Sequence, residues 1–359
     1  MKTYKYFLFL LIFFSFVGSS VSQDREGILK FVKNFSLSAH ADAYYGWNTD
    51  KESRFRLFDC VDPIRDEFRL NIAQVSLKYD SDIIRGIVTL HYGDIPKYYW
   101  ETENPNIQEA NIGFRIVNGL WIDAGYFLTH LGAEGLPQDN FLNSNSLPAY
   151  YEPFYQSGIK ASFDFTENLD ASVYLLNGYN VIEDNNKNKS FGMQVNYLLN
   201  DNITLTYNNI IGNEQDAGDE GRTRILNNLI LDYSSPDKRI DILLSCDLGT
   251  QDKSGLSDST KTALTYGGLV SFRYHFSDKF SVTLRGDYFQ DLDGVYSGVI
   301  ANNTGIKGNG VTLGLEYKPV EEAYIRIHTR YLSLDGDQKV FYDNSSSRTD
   351  VNLSAGFTY

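Results

Sequence analysis

From Gln23 onward, the hydrophobic residues of this 359-residue chain recur with a period of two. In the last stretch Val351, Leu353, Ala355, Phe357 and Tyr359 alternate with Asn352, Ser354, Gly356 and Thr358. Ile325, Ile327, Thr329 and Tyr331 are set against Arg326, His328 and Arg330, and Phe280, Val282, Leu284, Gly286 and Tyr288 against Ser281, Thr283, Arg285 and Asp287. A strand turns successive side chains to opposite faces, so each run describes a sheet with one apolar and one polar face. Sixteen strands are predicted, near 35–47, 67–80, 82–93, 107–118, 120–130, 155–166, 168–178 and 189–200 in the first half. The second half gives 201–211, 223–234, 238–249, 262–275, 277–290, 309–318, 321–334 and 348–359. A phase change around Ile72 and Ala73 predicts a bulge in the second strand, and Asn227 and Asn228 interrupt the tenth.

The connections alternate as well. Tyr79-Asp80-Ser81-Asp82, Val117-Asn118-Gly119, Asn200-Asp201-Asn202, Ser235-Pro236-Asp237 and Lys318-Pro319-Val320 are tight turn formers, and long polar stretches separate them. All eight prolines fall in connections, where no ladder hydrogen bond is lost. Strict short–long alternation predicts an all-β fold, a closed up-and-down antiparallel transmembrane β-barrel of about sixteen strands. A secreted β-sandwich array or a propeller would share the alternation. Against them stand the lack of a repeat of propeller length and a clustering of aromatics beside the short turns. Tyr79, Phe165, Tyr197, Tyr207, Tyr233, Tyr274, Phe276, Phe280, Tyr317 and Tyr324 are expected to form a girdle at one bilayer interface. Backbone groups cannot stay unpaired in hydrocarbon, so first and last strands must join, and sixteen strands enclose an aqueous channel.

Composition removes other classes. Asp and Glu (46) exceed Lys and Arg (32), which leaves no basic patch for nucleic acid. With 14% aromatic residues the chain is not a disordered acidic one. Cys60 and Cys246 make no disulfide framework and read as incidental. Residues 1–22 read as a cleaved signal peptide: Lys2 and Lys5, an apolar run from Phe7 to Val17, then small residues at Ser20 and Ser22. Residues 23–359 are then the barrel, bound for the outer membrane of a Gram-negative cell.

Residues 123–163 read DAGYFLTHLGAEGLPQDNFLNSNSLPAYYEPFYQSGIKASF. The order of strand, Gly132-Ala133-Glu134 turn, Asn/Ser-rich loop, Tyr151-Glu152-Pro153 and a Gly158-led strand resembles the OmpL-like outer-membrane β-barrel porin family. The phrase from Glu67 to Tyr79 and the Tyr126–His130 run are similar too. The resemblance implies a general diffusion pore for ions and small polar solutes and names no catalytic residue.

With apolar residues toward lipid, Arg273, Arg285, Arg326, His328 and Arg330 face the lumen, together with Asp287 and Glu316. Arg or Lys at the bilayer midplane would cost about 2–4 kcal/mol, which fixes this parity. These residues form either a basic wall strip or a set of ion pairs, such as Arg285 or Arg326 with Glu316. The longest connection, 131–154, carries Glu134, Asp139 and Glu152 and resembles the constriction loop of general porins in position and length. Its carboxylates are expected to face the arginines across a narrow waist, the alternative being a loop folded over the rim. No cofactor or metal is expected, and the acid-rich 214–220 and 335–337 stretches read as solvated loops. Five scattered histidines give no catalytic constellation, so the chain is not expected to be an enzyme. A loop-presenting adhesin or receptor is the main competing reading, and a barrel hydrolase a lesser one. Expected partners are outer-membrane lipid, lipopolysaccharide and the barrel assembly machinery, with monomer and homotrimer both open.

Overall fold

The computed structural model describes residues 33–359 apart from 52, 185, 217, 301 and 302, so the expected signal peptide lies outside the described residues. The first strands are β1 (Phe35–Asn48), β2 (Phe68–Asp80), β3 (Ile84–Tyr92), β4 (Ile107–Val117) and β5 (Leu120–Leu128). Then come β6 (Tyr155–Thr166), β7 (Leu169–Leu176), β8 (Ser190–Asn200), β9 (Ile203–Asn213), β10 (Thr223–Ser234) and β11 (Ile240–Gln251). The last five are β12 (Ala263–Ser277), β13 (Phe280–Gln290), β14 (Lys307–Val320), β15 (Ala323–Leu334) and β16 (Ser347–Thr358). Each strand pairs antiparallel with its sequence neighbours, and β1 pairs with β16 from His40↔Thr358 to Asn48↔Asp350. The sheet therefore closes on itself, as a wall in hydrocarbon requires.

The phase change at residues 72–73 is a bulge. Asp42 faces Ile72 and Ala43 faces Leu70, leaving Asn71 as the extra residue. Its amide is aimed inward and donates to Asp42 Oδ1 (2.9 Å) and Asp62 Oδ1 (2.8 Å). The Asn227–Asn228 interruption does not break β10, because each amide is satisfied by the neighbouring strands. Asn228 donates to Asp247 (2.6 Å), and Tyr207 and Asn209 both donate to Asn227 Oδ1.

Aromatic pairs ring the short-turn end, with centroids 4.9 Å apart for Phe35–Tyr79, 5.1 Å for Tyr274–Phe276 and 4.7 Å for Phe280–Tyr317. Tyr324 does not belong to this girdle. It shares the parity of Arg326 and points inward, donating 2.8 Å to Asp42 Oδ2. Apolar side chains such as Val270, Leu284 and Leu315 cover the outer face, each about half exposed.

Buried apolar residues lie inside the barrel at its long-loop end. Phe58, Leu147, Phe289, Ile306, Leu332, Leu334 and Phe341 form one cluster there, drawn from loops and strand ends together. This core holds loops against the inner wall. Neither cysteine is paired: Cys60 is buried in a second cluster with Val61, Ile72, Ile95 and Leu136, and Cys246 is exposed.

Replacing lipid-facing Val270 by Arg is expected to lower folding stability by about 2–4 kcal/mol, whereas Arg at inward Thr206 of β9 costs under about 1 kcal/mol. Urea unfolding of the barrel in lipid vesicles measures both.

Candidate functional site

The β5–β6 connection, residues 129–154 (L3), enters the lumen and lies directly on the wall of β12–β15. Its short helix α2 (Leu147–Tyr151) starts at Ser146, whose hydroxyl accepts from the Ala149 amide, and Pro148 suits the first turn. The helix is seated at its N-terminal end, where the Leu147 amide donates to Asp287 Oδ2 (3.1 Å) and the Leu147 side chain is fully buried.

Arg285 holds the rest of the loop. Nη1 donates to Glu134 Oε1 (2.5 Å) and to the Ser144 carbonyl (2.6 Å), and Nη2 donates to the Asn145 carbonyl (3.1 Å). Arg326 reaches the Pro137 carbonyl (2.7 Å) and Asn143 Oδ1 (2.9 Å), while its Nε bonds Glu316 (2.6 Å). Arg273 pairs with the same Glu316. Arg330 bonds Asp287 (3.2 Å), and His328 Nε2 accepts from Asn352 (3.0 Å). A guanidinium offers five donors in a fixed fork, so two arginines can pin a loop through its carbonyls as well as its carboxylates.

The seven wall residues named from parity all stand on the inner face, and they are brought together. They do not form an open strip, because L3 covers them: Arg285 and Arg330 are at most 1% exposed and His328 2%. Arg285 pairs with Glu134 rather than with Glu316. Of the three loop carboxylates only Glu134 meets an arginine. Asp139 is exposed and pairs with no arginine among the described residues. Glu152 is buried beside Asp247 of β11. Asp247 Oδ1 accepts from Asn228 (2.6 Å), and its Oδ2 is buried without a hydrogen-bond partner among the described residues. Burial and the neighbouring Asp247 carboxyl push Glu152 well above the usual carboxyl range.

A second loop, the β1–β2 connection 49–67 (L1), also folds inward. Arg56 is fully buried between Asp59 (2.7 Å) and Asp350 of β16 (3.4 Å), and donates to the Asp62 carbonyl (2.8 Å). Burial pushes the Asp59 carboxyl up to about 6 against the pull of Arg56. L1 meets L3 where the Cys60 amide donates to Asn145 Oδ1 (3.0 Å). Parity assigns Arg348 and Asp350 inward with Asn352, a signal that sequence reasoning left unused. The burial of Arg56 and Asp59 has no local sequence signature.

Toward the short turns the inner wall of β8–β10 stays partly exposed at Asn196, Thr204, Thr206 and Asp232, while at the long-loop end Leu131 of L3 packs against Tyr174, Leu176, Ile210 and Leu226. Next to L3 lies a cavity of about 180 Å³ reached by Glu134, Asp139 and Glu152. A smaller one of about 70 Å³ places Asp139 with Asp232 of β10 and Ser271 of β12. Glu109, Asp139, Asp170 and Asp232 form no ion pair among the described residues. Of the inward cations on this side, Arg85 is paired with Asp123, Lys160 lies 3.9 Å from Asp123, and Arg115 stacks over Trp121 at 5.0 Å. The described residues contain no group that could hold a metal ion.

The profile of a protein family described as "Putative beta-barrel porin-2, OmpL-like" matches residues 34–359. No curated protein sequence matches the chain. Among solved structures it is similar to the outer membrane channel DcaP of Acinetobacter baumannii, with 11% identity and a TM-score of 0.64 over 90% of this chain and 97% of that one. It is also similar to OmpT, an outer membrane protein of Vibrio cholerae, at 13% identity and a TM-score of 0.60, covering 90% and 97%. A third likeness, at 10% identity and a TM-score of 0.60, is to the anion-selective porin from Comamonas acidovorans, covering 90% and 99%.

Arg285→Ala leaves Glu134 and two loop carbonyls without their donor, at an expected cost of about 3–5 kcal/mol and with faster proteolysis within L3. A carboxyl whose pKa is raised by folding contributes stability at low pH and loses it as pH rises. L3 proteolysis is therefore expected to increase as the pH rises above the usual carboxyl range in the native chain and to stay flat in Glu152→Gln.

Proposed function

The chain belongs to the OmpL-like β-barrel porin family and is an outer-membrane porin, and from that premise we propose that solutes pass through only one side of its lumen. Ions and small polar solutes diffuse passively between L3 and the inner wall of β3–β11. Residues 131–154 act as the constriction, and the passage favours cations. One observation carries this reading. The arginines of β12–β15 are buried under L3 against carboxylates and carbonyls, while Asp139 and Asp232 face the open cavity without a cationic partner. A cation entering this low-dielectric waist meets uncompensated carboxylates, whereas the guanidiniums of this side are engaged, Arg85 with Asp123, Arg115 over Trp121 and Arg224 over Tyr296.

The proposal contains no catalytic step. Each histidine is tied to a wall or loop partner: His40 to Thr358, His91 to Gln108, His130 to Gln156, His275 to Asp241 and His328 to Asn352. Lipopolysaccharide and outer-membrane lipid surround the barrel, and the assembly machinery inserts it. A homotrimer is compatible with the continuous apolar outer face, and the similar OmpT of Vibrio cholerae is described in a trimer form. A monomer needs no change to the conducting path.

Planar-bilayer recording tests the path. Ohmic steps with a potassium-over-chloride permeability ratio of about threefold are expected, falling toward one in Asp139→Asn/Asp232→Asn. Deleting residues 136–147 is expected to raise single-channel conductance. Chloride preference in the native chain, or a conductance indifferent to the deletion, contradicts the reading.

A further inference from the structure

The wall of the barrel is incomplete at one place. The β2–β3 ladder ends at Ala73↔Tyr92, yet β2 continues to Phe68, so residues 68–72 pair with β1 alone. Gly93, at φ 137°, turns the chain away from β2 into the helix α1 (Asp94–Tyr99) of the β3–β4 connection. A side chain at Gly93 would put Cβ 2.5 Å from the Asn71 carbonyl oxygen. On the lumen side the gap is closed by side chains instead of a ladder. Arg69 forks onto Asp94 (2.5 and 2.6 Å), and Tyr44 donates to the same carboxylate (2.8 Å).

The outer side of the gap stays open as a notch of about 530 Å³, lined by Phe68, Leu70, Tyr92, Pro96, Lys97 and Trp100 among others. Phe68 is 84% exposed and Tyr92 71%, the first packed at a tilt against Tyr45 with ring centroids 4.9 Å apart. The notch lies at the long-loop end, so it opens into the outer leaflet. Glu67, next in the chain to Phe68, lines an adjoining cleft of about 310 Å³ with Lys51, Arg54 and Arg65. Arg54 and Arg65 are paired with Glu67 and Asp66, but Lys51 and Lys97 form no ion pair among the described residues. On a chain of net charge −14, this is a local cationic rim above an apolar slot.

We propose that the notch binds one phosphorylated glycolipid of the outer leaflet, of the lipid A class. An acyl chain fills the slot over Phe68, Leu70 and Tyr92, where the missing ladder leaves the wall thin. A phosphate lies at the rim with Lys97 and Lys51. Anionic head and apolar tail are then recognised by neighbouring chemistry, as basic residues beside an apolar surface recognise charged lipids. A neutral phospholipid offers the tail without the charge. The site needs only the outer-membrane placement and is independent of the conducting path.

Native mass spectrometry of the full-length barrel in detergent, titrated with purified lipid A or with phosphatidylethanolamine, tests it. The expected result is one lipid A retained per barrel after phosphatidylethanolamine is stripped. Phe68→Ala/Lys97→Gln is expected to lower that occupancy by about fivefold, with single-channel conductance and heat-modifiable migration unchanged. Equal retention of the two lipids, or unchanged occupancy in the variant, overturns the proposal. So does a barrel that holds no lipid A but forms multimers that the double substitution dissociates, since a second copy then fills the notch.

Discussion

Hydrocarbon tolerates no unpaired backbone and little charge, and the architecture follows from meeting both demands at once. The backbone demand closes β1 onto β16. The charge demand sends the polar parity of each strand inward, which crowds Arg285, Arg326, Arg330 and Arg348 onto one arc of the inner wall. Four guanidiniums there need partners, and the wall supplies only Asp287, Glu316 and Asp350. L3 and L1 supply the rest through Glu134, Asp59 and a set of loop carbonyls. Buried ion pairs of this kind add little net stability over an apolar core, but removing one partner is costly. They fix where the loops sit.

The result is a lumen with two unlike sides. Over β12–β16 and β1 the barrel is filled by L1 and L3 almost as a soluble core is filled, with an apolar cluster at the long-loop end and a charged network below it. On the other side Asp232 of β10 and Asp139 of L3 share a small cavity with no cation paired to either among the described residues. The arginine-rich strip is thus occupied with holding L3, which is why the proposed path for ions runs past carboxylates instead of guanidiniums. On the other flank of that loop burial beside Asp247 holds the Glu152 carboxyl above its usual range, so the two flanks differ in chemistry and in response to pH.

Strands were legible in the sequence because alternation is local. The predicted β13, 277–290, starts three residues before the observed strand, and the predicted β6 matches it. The bulge at Asn71 could be placed within two residues, since a phase slip is also local. Parity read along single strands put Arg273, Arg285, Arg326, His328 and Arg330 on the inner face. Applied to Tyr324 it would have removed that residue from the girdle. What covers the strip was not legible. Arg285 meets Glu134 across 151 positions and Arg56 meets Asp350 across 294, and nothing in the spacing of either pair records the contact. L1 reads as an ordinary polar connection, because its burial depends on a cavity that exists only once the cylinder has closed. The loop 131–154 was marked by its length and prolines, yet only one of its three carboxylates turns toward the arginines.

The central claim is that one side of the lumen is sealed by the loops and the other conducts. Reaction of single introduced cysteines with a charged, water-soluble thiol reagent during bilayer recording tests it most directly. Each is compared in a Cys60→Ser/Cys246→Ser background. Asp232→Cys on the open wall is predicted to react and to reduce the current, whereas Thr312→Cys, buried beneath L3 beside Arg285, is predicted to leave the current unchanged. Comparable block at both positions would contradict the account.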